Sequence, residues 1–161
     1  MIYRYQGSIL EVLICHPGGP YFQNKDDGNW LIPRGEVIDG ETLYETASRE
    51  LTEETGLYAP DESEVVYLGT ADDPRKVTHA WAFKYSADDD FLITCDSTVT
   101  IEWPPKTGKQ LTFPENDITT FVDIDTARTK LRPALVVLID RLVLIDRLLD
   151  HLNNTSTTQS E

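Results

Sequence analysis

The segment GEVIDGETLYETASRELTEETGL, residues 35–57, joins a glycine-containing loop to a stretch that carries many carboxylates. Residues 42–55 contain neither glycine nor proline, and their apolar side chains recur every four positions, at Leu43, Ala47 and Leu51. This spacing places the apolar residues in one stripe along an α-helix. Gly56 follows at a position that favours a C-terminal cap. The segment therefore predicts a helix over residues 42–55.

Three glutamates of this helix are spaced by three and four residues, so they project from one side of it: Glu50, Glu53 and Glu54. Like charges at this spacing destabilise a helix by about 0.2–0.5 kcal/mol per pair, and a cation must neutralise them. Mg²⁺ prefers oxygen ligands and bridges carboxylates to phosphates, and Mn²⁺ suits the same ligands. Arg49 lies four residues before Glu53, within reach of an ion pair that orients this carboxylate.

The whole chain is acidic, with 14 Lys and Arg against 28 Asp and Glu and a formal net charge of −14. Such a charge repels nucleic acid polymers and anionic membrane surfaces. A protein of this charge that handles a phosphate-rich molecule needs divalent cations at the site. The charge balance therefore disfavours a nucleic acid polymer or a membrane surface as the partner.

Length and composition predict one globular domain over residues 1–152, followed by a flexible polar tail over residues 153–161. Hydrophobic residues make up 40% of the 161 residues, as in ordinary globular proteins. The sequence has no signal-like or membrane-spanning apolar run, which predicts a cytoplasmic protein. Cys15 and Cys95 do not form a disulfide framework by number or spacing.

The remaining pattern predicts an α/β/α sandwich with a mixed β-sheet. Strands are predicted over residues 2–5, 9–15, 29–32, 65–70, 77–85, 99–103 and 119–124, with an acidic loop at 88–90 and a turn at 104–108. Asp125 is predicted to cap a short helix, and Pro133 to begin a long one that ends near Leu152. An apolar face of the long helix leaves both a monomer and a homodimer open.

The 35–57 segment resembles the Nudix box: glycine, five residues, glutamate, seven residues, Arg-Glu, an aliphatic residue, one residue, Glu-Glu, one residue, glycine and an aliphatic residue. Every defined position is met, and such a long pattern is far more specific than a lone glycine fingerprint. The resemblance implies an α/β/α hydrolase that cleaves a nucleoside diphosphate linked to another group. It also implies that water attacks phosphorus while a glutamate takes the proton.

The resemblance assigns roles by matching position. Glu50, Glu53 and Glu54 match metal-binding glutamates, and Gly35 matches the residue whose carbonyl reaches the metal. Arg49 matches an orienting arginine and Glu41 a carboxylate that steadies the loop. The candidate catalytic residues are Glu53, Arg49, Glu50 and Glu102, the last as an additional carboxylate from a later loop. Glu45 lacks a matching role and is expected on the surface.

Segments outside the box, including His16–Phe22 and Glu102–Lys106, resemble a bacterial Nudix branch described as nucleoside triphosphate pyrophosphohydrolases. Related members with a similar pre-box stretch hydrolyse diadenosine polyphosphates. The candidate substrate-binding residues are Arg34, Lys25, Trp30 and Tyr21, since cations bind phosphate and aromatic rings stack on bases. Core packing is an equal alternative for Trp30, and Lys106 and Lys109 are further phosphate candidates.

Two other classes compete with the hydrolase. A Nudix-like domain can lose catalysis and act as a nucleotide sensor, although such drift is expected to erase Arg49 or one of the glutamates. An acidic scaffold or calcium binder is the third class, but the sequence lacks the alternating acidic loop of an EF-hand. The partner that the resemblance implies is a small nucleotide substrate. Nucleoside triphosphates, dinucleoside polyphosphates and nucleotide sugars all stay open, and the resemblance favours a nucleoside triphosphate or a dinucleoside polyphosphate.

Overall fold

A computed structural model describes residues 1–86, 93 and 97–157 of the chain. Its elements, in chain order, are β1 (Ile2–Gln6), β2 (Ile9–Pro17), α1 (Leu43–Thr55), a 3-10 turn (Glu62–Glu64), β3 (Val66–Asp73), β4 (Lys76–Lys84), β5 (Thr98–Glu102), β6 (Gln110–Pro114), β7 (Asn116–Asp123), α2 (Ile124–Lys130) and α3 (Pro133–Thr157).

Five strands form one sheet in the order β3-β4-β1-β2-β7. β1 pairs with β4 in parallel, and the other neighbours pair antiparallel, so the sheet is mixed as the sequence predicts. Among the strands of the described residues, β5 and β6 pair with each other alone and form a separate two-stranded arm.

The sheet separates two apolar cores, and the alternation along β2 shows how. Val12 and Ile14 pack in the larger core with Leu138 of α3, whereas Leu13 between them packs in the smaller core with Leu51 of α1. Successive side chains of a strand point to opposite faces, so each face meets a different helix layer. The predicted α/β/α sandwich is confirmed.

The predicted elements differ from the structure at three places. Residues 29–32 do not form a strand of the sheet: Trp30 and Leu31 make only isolated bridges, to Leu131 and Cys15. The sequence analysis contains no strand at β6, a segment of five residues in which only Leu111 and Phe113 alternate with polar residues and most side chains are exposed. The cap of α2 is Asp123, which accepts two backbone hydrogen bonds, and not Asp125.

The long helix α3 continues through Thr157, five residues beyond its predicted end. The last four residues of the predicted tail, the acidic loop at 88–90 and Cys95 lie outside the described residues. No helix in the part of the chain that the structure describes is long and apolar enough to cross a membrane.

Candidate active site

Helix α1 is held at both ends by local hydrogen bonds. At its start, Thr42 Oγ1 accepts from the backbone N–H of Glu45, and the Glu45 carboxylate accepts from the N–H of Thr42 at 2.7 Å. This reciprocal pair is a capping box. At its end, Gly56 adopts φ 71°, which favours glycine, and donates to Thr52 O. Glu45 is exposed, as predicted, and it also anchors the helix start.

Arg49 connects the loop before α1 to the glutamates on the helix. Its Nε donates to Glu41 Oε1 at 2.8 Å, and its Nη1 donates to Glu50 Oε1 at 2.7 Å and to Glu53 Oε2 at 3.2 Å. Its Nη2 also donates to the carbonyl oxygen of Glu36 at 3.2 Å. The predicted ion pair between Arg49 and Glu53 is therefore present, and one guanidinium orients three carboxylates.

The same network shifts the pKa values of its members. Hydrogen bonds from Arg49 and Thr46 lower the pKa of Glu41 to about 2. Hydrogen bonds to Glu41 and Glu50 raise the pKa of Arg49. Glu41 therefore stays ionised at any pH at which the protein works, and it fixes the guanidinium from the loop side.

Glu54 differs from the other two glutamates because it is buried. Its Oε2 accepts from Asn116 Nδ2 at 3.0 Å, and it also accepts from the backbone N–H of Arg34. Burial raises the pKa of Glu54 to about 7, and the nearby Glu115 adds to this effect. A nearby cation would stabilise the ionised form of this carboxylate, because it would compensate for the hydration lost on burial.

Gly35 lies directly against the Glu50 side chain. A Cβ added at Gly35 would lie 1.8 Å from Glu50 Cδ and 1.9 Å from Oε1. Any larger residue here must displace the Glu50 carboxylate. The glycine is therefore required by close approach of the loop backbone to a carboxylate of the helix.

A cavity of about 970 Å³ opens beside α1. Of the predicted site residues, its wall contains Gly35, Glu50, Glu53, Glu54, Arg34 and Tyr21. Arg49 lies behind the wall and acts on it through the carboxylates. The structure thus brings most of the glutamate cluster and two substrate-binding candidates to one space.

Two substrate-binding candidates lie elsewhere. Trp30 is buried, donates from Nε1 to Asp26 Oδ1 at 2.8 Å, and contacts the His16 ring edge to face, so it is a core residue. Lys25 lies over the ring of Phe22, with Nζ 5.0 Å from its centre, and is not part of the cavity wall. Core packing was the stated alternative for Trp30.

Glu102 is also placed away from the cavity. Its Oε1 accepts from the backbone N–H of Gly108 at 2.7 Å and so closes the turn at the tip of the β5-β6 arm. Lys106 and Lys109 belong to the same tip and are not in the cavity wall. The carboxylate that a later segment does bring to the wall is Glu115, which accepts from Ser97 Oγ at 2.7 Å.

Sequence reasoning missed Glu115, Asn116 and Arg132 on the wall. The first two follow β6, a strand that the pattern did not predict, and Arg132 precedes the long helix. Their positions in the sequence do not indicate that they lie close to α1. Only pairing of β7 with β2 brings residues 115–116 beside Glu54.

The available ligand atoms fit a hard divalent cation, since the carboxylates of α1 and the carbonyl group of Gly35 offer oxygen ligands. Within residues 1–86, 93 and 97–157, no three His, Cys, Asp or Glu side chains converge in the geometry of a metal site. Arg49 holds Glu50 and Glu53, while Asn116 holds Glu54. The buried, poorly hydrated Glu54 beside Glu50 is the observation that fits a cation.

Comparison with solved structures shows the same fold in other proteins. A C. elegans Ap4A hydrolase in a binary complex matches with a TM-score of 0.61 and 18% identity over 89% of this chain and 92% of that chain. The NUDIX domain of Shewanella oneidensis NrtR, complexed with ADP ribose, matches with a TM-score of 0.52 and 19% identity over 94% and 83%.

A MutT/nudix family protein from Enterococcus faecalis matches with a TM-score of 0.52 and 20% identity, over 88% of this chain and 59% of that chain. At these identities the likenesses establish the fold. The family itself is established by the NUDIX domain model, which matches residues 2–141. The chain therefore belongs to the Nudix family.

Proposed function

We propose that this enzyme hydrolyses a pyrophosphate linkage in a nucleoside triphosphate or a dinucleoside polyphosphate in a magnesium-dependent reaction. The observation that carries the proposal is the arrangement of Gly35, Glu50, Glu53 and Glu54 on the wall of one cavity of about 970 Å³. Glu41 and Arg49 orient the cluster from behind. A cavity of this size accommodates a nucleotide.

Glu50, Glu53, Glu54 and the carbonyl oxygen of Gly35 would hold Mg²⁺, or Mn²⁺ in its place. The bound cation supplies the positive charge that neutralises phosphate oxygens in an acidic chain. The carboxylates must turn partly away from Arg49 and Asn116 to reach a shared ligand. Arg49 also donates from Nε and Nη2 to the Glu41 carboxylate, and these two hydrogen bonds tie its guanidinium to the loop before α1.

The proton is taken by a carboxylate at the cavity wall. A water oxygen forms a bond to phosphorus, the bridging P–O bond breaks, and the leaving phosphate keeps that electron pair. Glu53 is the candidate acceptor of the water proton, since its side chain is 52% exposed. Glu115 is the candidate additional carboxylate, because it lies on the wall where Glu102 does not.

The nucleoside part of the substrate is proposed to contact the aromatic side of the cavity. Tyr21 is 54% exposed on the wall, and its ring meets that of Trp103 edge to face, 4.9 Å between centres. Phe22 lies on the same wall. An aromatic face contributes about 1–3 kcal/mol of stacking per base.

Two of the similar structures support a nucleotide as the substrate. One of these proteins is an Ap4A hydrolase, and the other is a NUDIX domain complexed with ADP ribose. A small nucleotide is therefore the proposed partner. A cytoplasmic location and a state of monomer or homodimer stay predictions from the sequence.

The test is a panel of nucleoside triphosphates, diadenosine polyphosphates and nucleotide sugars, assayed for phosphate and pyrophosphate release with Mg²⁺, with Mn²⁺ and with EDTA. We expect turnover of one triphosphate or dinucleoside polyphosphate, and none in EDTA. Glu53→Gln should lower kcat by about 10²–10⁴-fold, as loss of a proton acceptor does. Glu64→Gln, an exposed change of equal charge away from the cavity wall, should leave kcat unchanged.

Full turnover by Glu53→Gln would contradict the assignment of this glutamate. Cleavage of nucleotide sugars alone would contradict the proposed substrate class. Tight nucleotide binding without turnover, with either metal, would favour the sensor over the hydrolase.

A further inference from the structure

Two arginines, Arg34 and Arg132, share the wall of the cavity beside the glutamate helix. Both side chains are half-buried. Within the described ranges, neither guanidinium forms an ion pair with a carboxylate. Arg75, Arg141 and Arg147 also lack an ion pair there, but none of these three lies on the cavity wall. In a chain of net charge −14, two guanidinium groups without an ion pair thus line the same cavity as the glutamate cluster.

Backbone pairing brings the two arginines to the same place. The N–H of Trp30 donates to Lys130 O, and the N–H of Arg132 donates back to Trp30 O, both at 3.0 Å. The segment before Arg34 therefore runs alongside the segment that ends at Arg132. Arg34 is fixed on the other side, because its own N–H donates to the Glu54 carboxylate.

The two guanidinium groups lie close enough to repel each other, and the carboxylates of Glu54 and Asp73 attract that of Arg34. The Arg132 guanidinium also lies over the ring of Phe22, 5.9 Å from its centre, which holds it at the wall. Placing two partly desolvated cations together is costly unless an anion joins them.

We propose that the guanidinium groups of Arg34 and Arg132 form a phosphate-binding subsite that holds a phosphate group of the substrate without a metal ion. Guanidinium groups match phosphate oxygens with paired hydrogen bonds. The assignment of the bound anion to a phosphate of the substrate rests on the proposed function. The anion site itself does not. A phosphate beyond the cleaved linkage can occupy the subsite, which favours polyphosphates over nucleoside diphosphate sugars.

The test measures binding of inorganic tripolyphosphate to the intact protein in EDTA by isothermal titration calorimetry. Arg132→Met and Arg34→Met should each weaken binding by about tenfold or more, as expected for a lost charge-assisted contact. Arg132→Lys keeps the charge but not the paired donors, so its loss should be smaller. Arg147→Met is the matched control, since Arg147 is exposed and lies away from the cavity wall.

Unfolding curves show whether each variant is folded, and Arg132→Lys covers the case in which the methionine variant is not. No measurable binding by the wild type, or equal binding by Arg132→Met and wild type, would overturn the subsite. The proposed function would survive that result if the wild type still hydrolyses its substrate. Conversely, arginine-dependent binding without any hydrolysis would support the subsite and contradict the proposed function.

A second measurement compares turnover of two classes of substrate. In Arg132→Met, kcat/KM for a nucleoside triphosphate should fall at least about tenfold more than for a nucleoside diphosphate sugar. An equal fall for both substrates would contradict a subsite for an additional phosphate.

Discussion

Helices α1 and α3 cover opposite faces of the same sheet, yet different forces hold them. The buried residues of α1 are Thr46, Leu51, Glu54 and Thr55, so only one of them is apolar. The buried residues of α3 include Leu135, Leu138, Ile139 and Leu142, all apolar. α1 is therefore positioned by caps and ion pairs, and α3 by burial of apolar surface.

The two helices therefore have different roles, α1 at the cavity and α3 in the stability of the fold. The polar contacts of α1 orient carboxylates toward the cavity, and they fix directions more than they add stability. The apolar contacts of α3 carry a large share of the folding free energy, and none of the described side chains of α3 lies on the cavity wall. Changes in α1 should affect catalysis first, and changes in α3 should affect stability first.

The largest effect on stability is expected from Leu138→Ala in α3. Leu138 is fully buried, and removing its side chain leaves a cavity in the larger core. The free energy of unfolding should fall by about 2–5 kcal/mol in urea titrations. Leu148→Ala on the same helix is the control, since Leu148 is 54% exposed and should change stability by less than about 1 kcal/mol. Equal losses in both variants would contradict the contrast.

Gly35→Ala should impair catalysis more than stability. Its Cβ would displace the Glu50 carboxylate, which lies 1.8 Å from that position. A displacement of about 1 Å at a catalytic group can lower kcat/KM by about 100-fold. Steady-state kinetics and an unfolding curve on the same sample separate the two effects. Unchanged kcat/KM would show that the position of Glu50 does not matter for turnover.

Thr42→Ala should have a smaller effect, confined to the start of α1. The substitution removes the hydroxyl that accepts from Glu45 N, and such caps contribute about 1 kcal/mol to the free energy of unfolding. Thr42→Ser keeps the hydroxyl and should retain most of that stability. A loss as large as that of Leu138→Ala would show that α1 is not a weakly held helix.

Glu41→Gln should produce an effect that depends on pH. The pKa of Glu41 is lowered from 4.5 to about 2 in the folded protein, so its ionised form stabilises the fold. That contribution is present above about pH 4.5 and is lost as pH falls toward 2. The difference in stability between wild type and Glu41→Gln should therefore shrink between pH 6 and pH 3 in unfolding titrations, values chosen to span roughly that window. A constant difference would contradict the ion pair with Arg49.

Much of this site is readable from the chain because it is local. The spacing of Glu50, Glu53 and Glu54 on one helix, and of Arg49 four residues before Glu53, follows from helix geometry alone. The glycine caps and the interleaved strands likewise predict the α/β/α fold. Short-range rules suffice when every partner lies within a few residues.

The remaining parts of the site are set by contacts between distant segments. Glu115 and Asn116 reach α1 only through pairing of β7 with β2, and Arg132 joins Arg34 only through backbone pairing with Trp30. Glu102 and Trp30 have the side chains expected of a site, yet one closes a turn and the other fills the core.

Local periodicity and spacing in the sequence predict the glutamate helix and the helix layers on both sides of the sheet, and the motif at residues 35–57 indicates the family. Which late carboxylate, which aromatic ring and which second arginine share the cavity follows from the folded structure. These residues meet through strand pairing and loop packing between segments that lie many tens of positions apart, and no local pattern encodes such contacts.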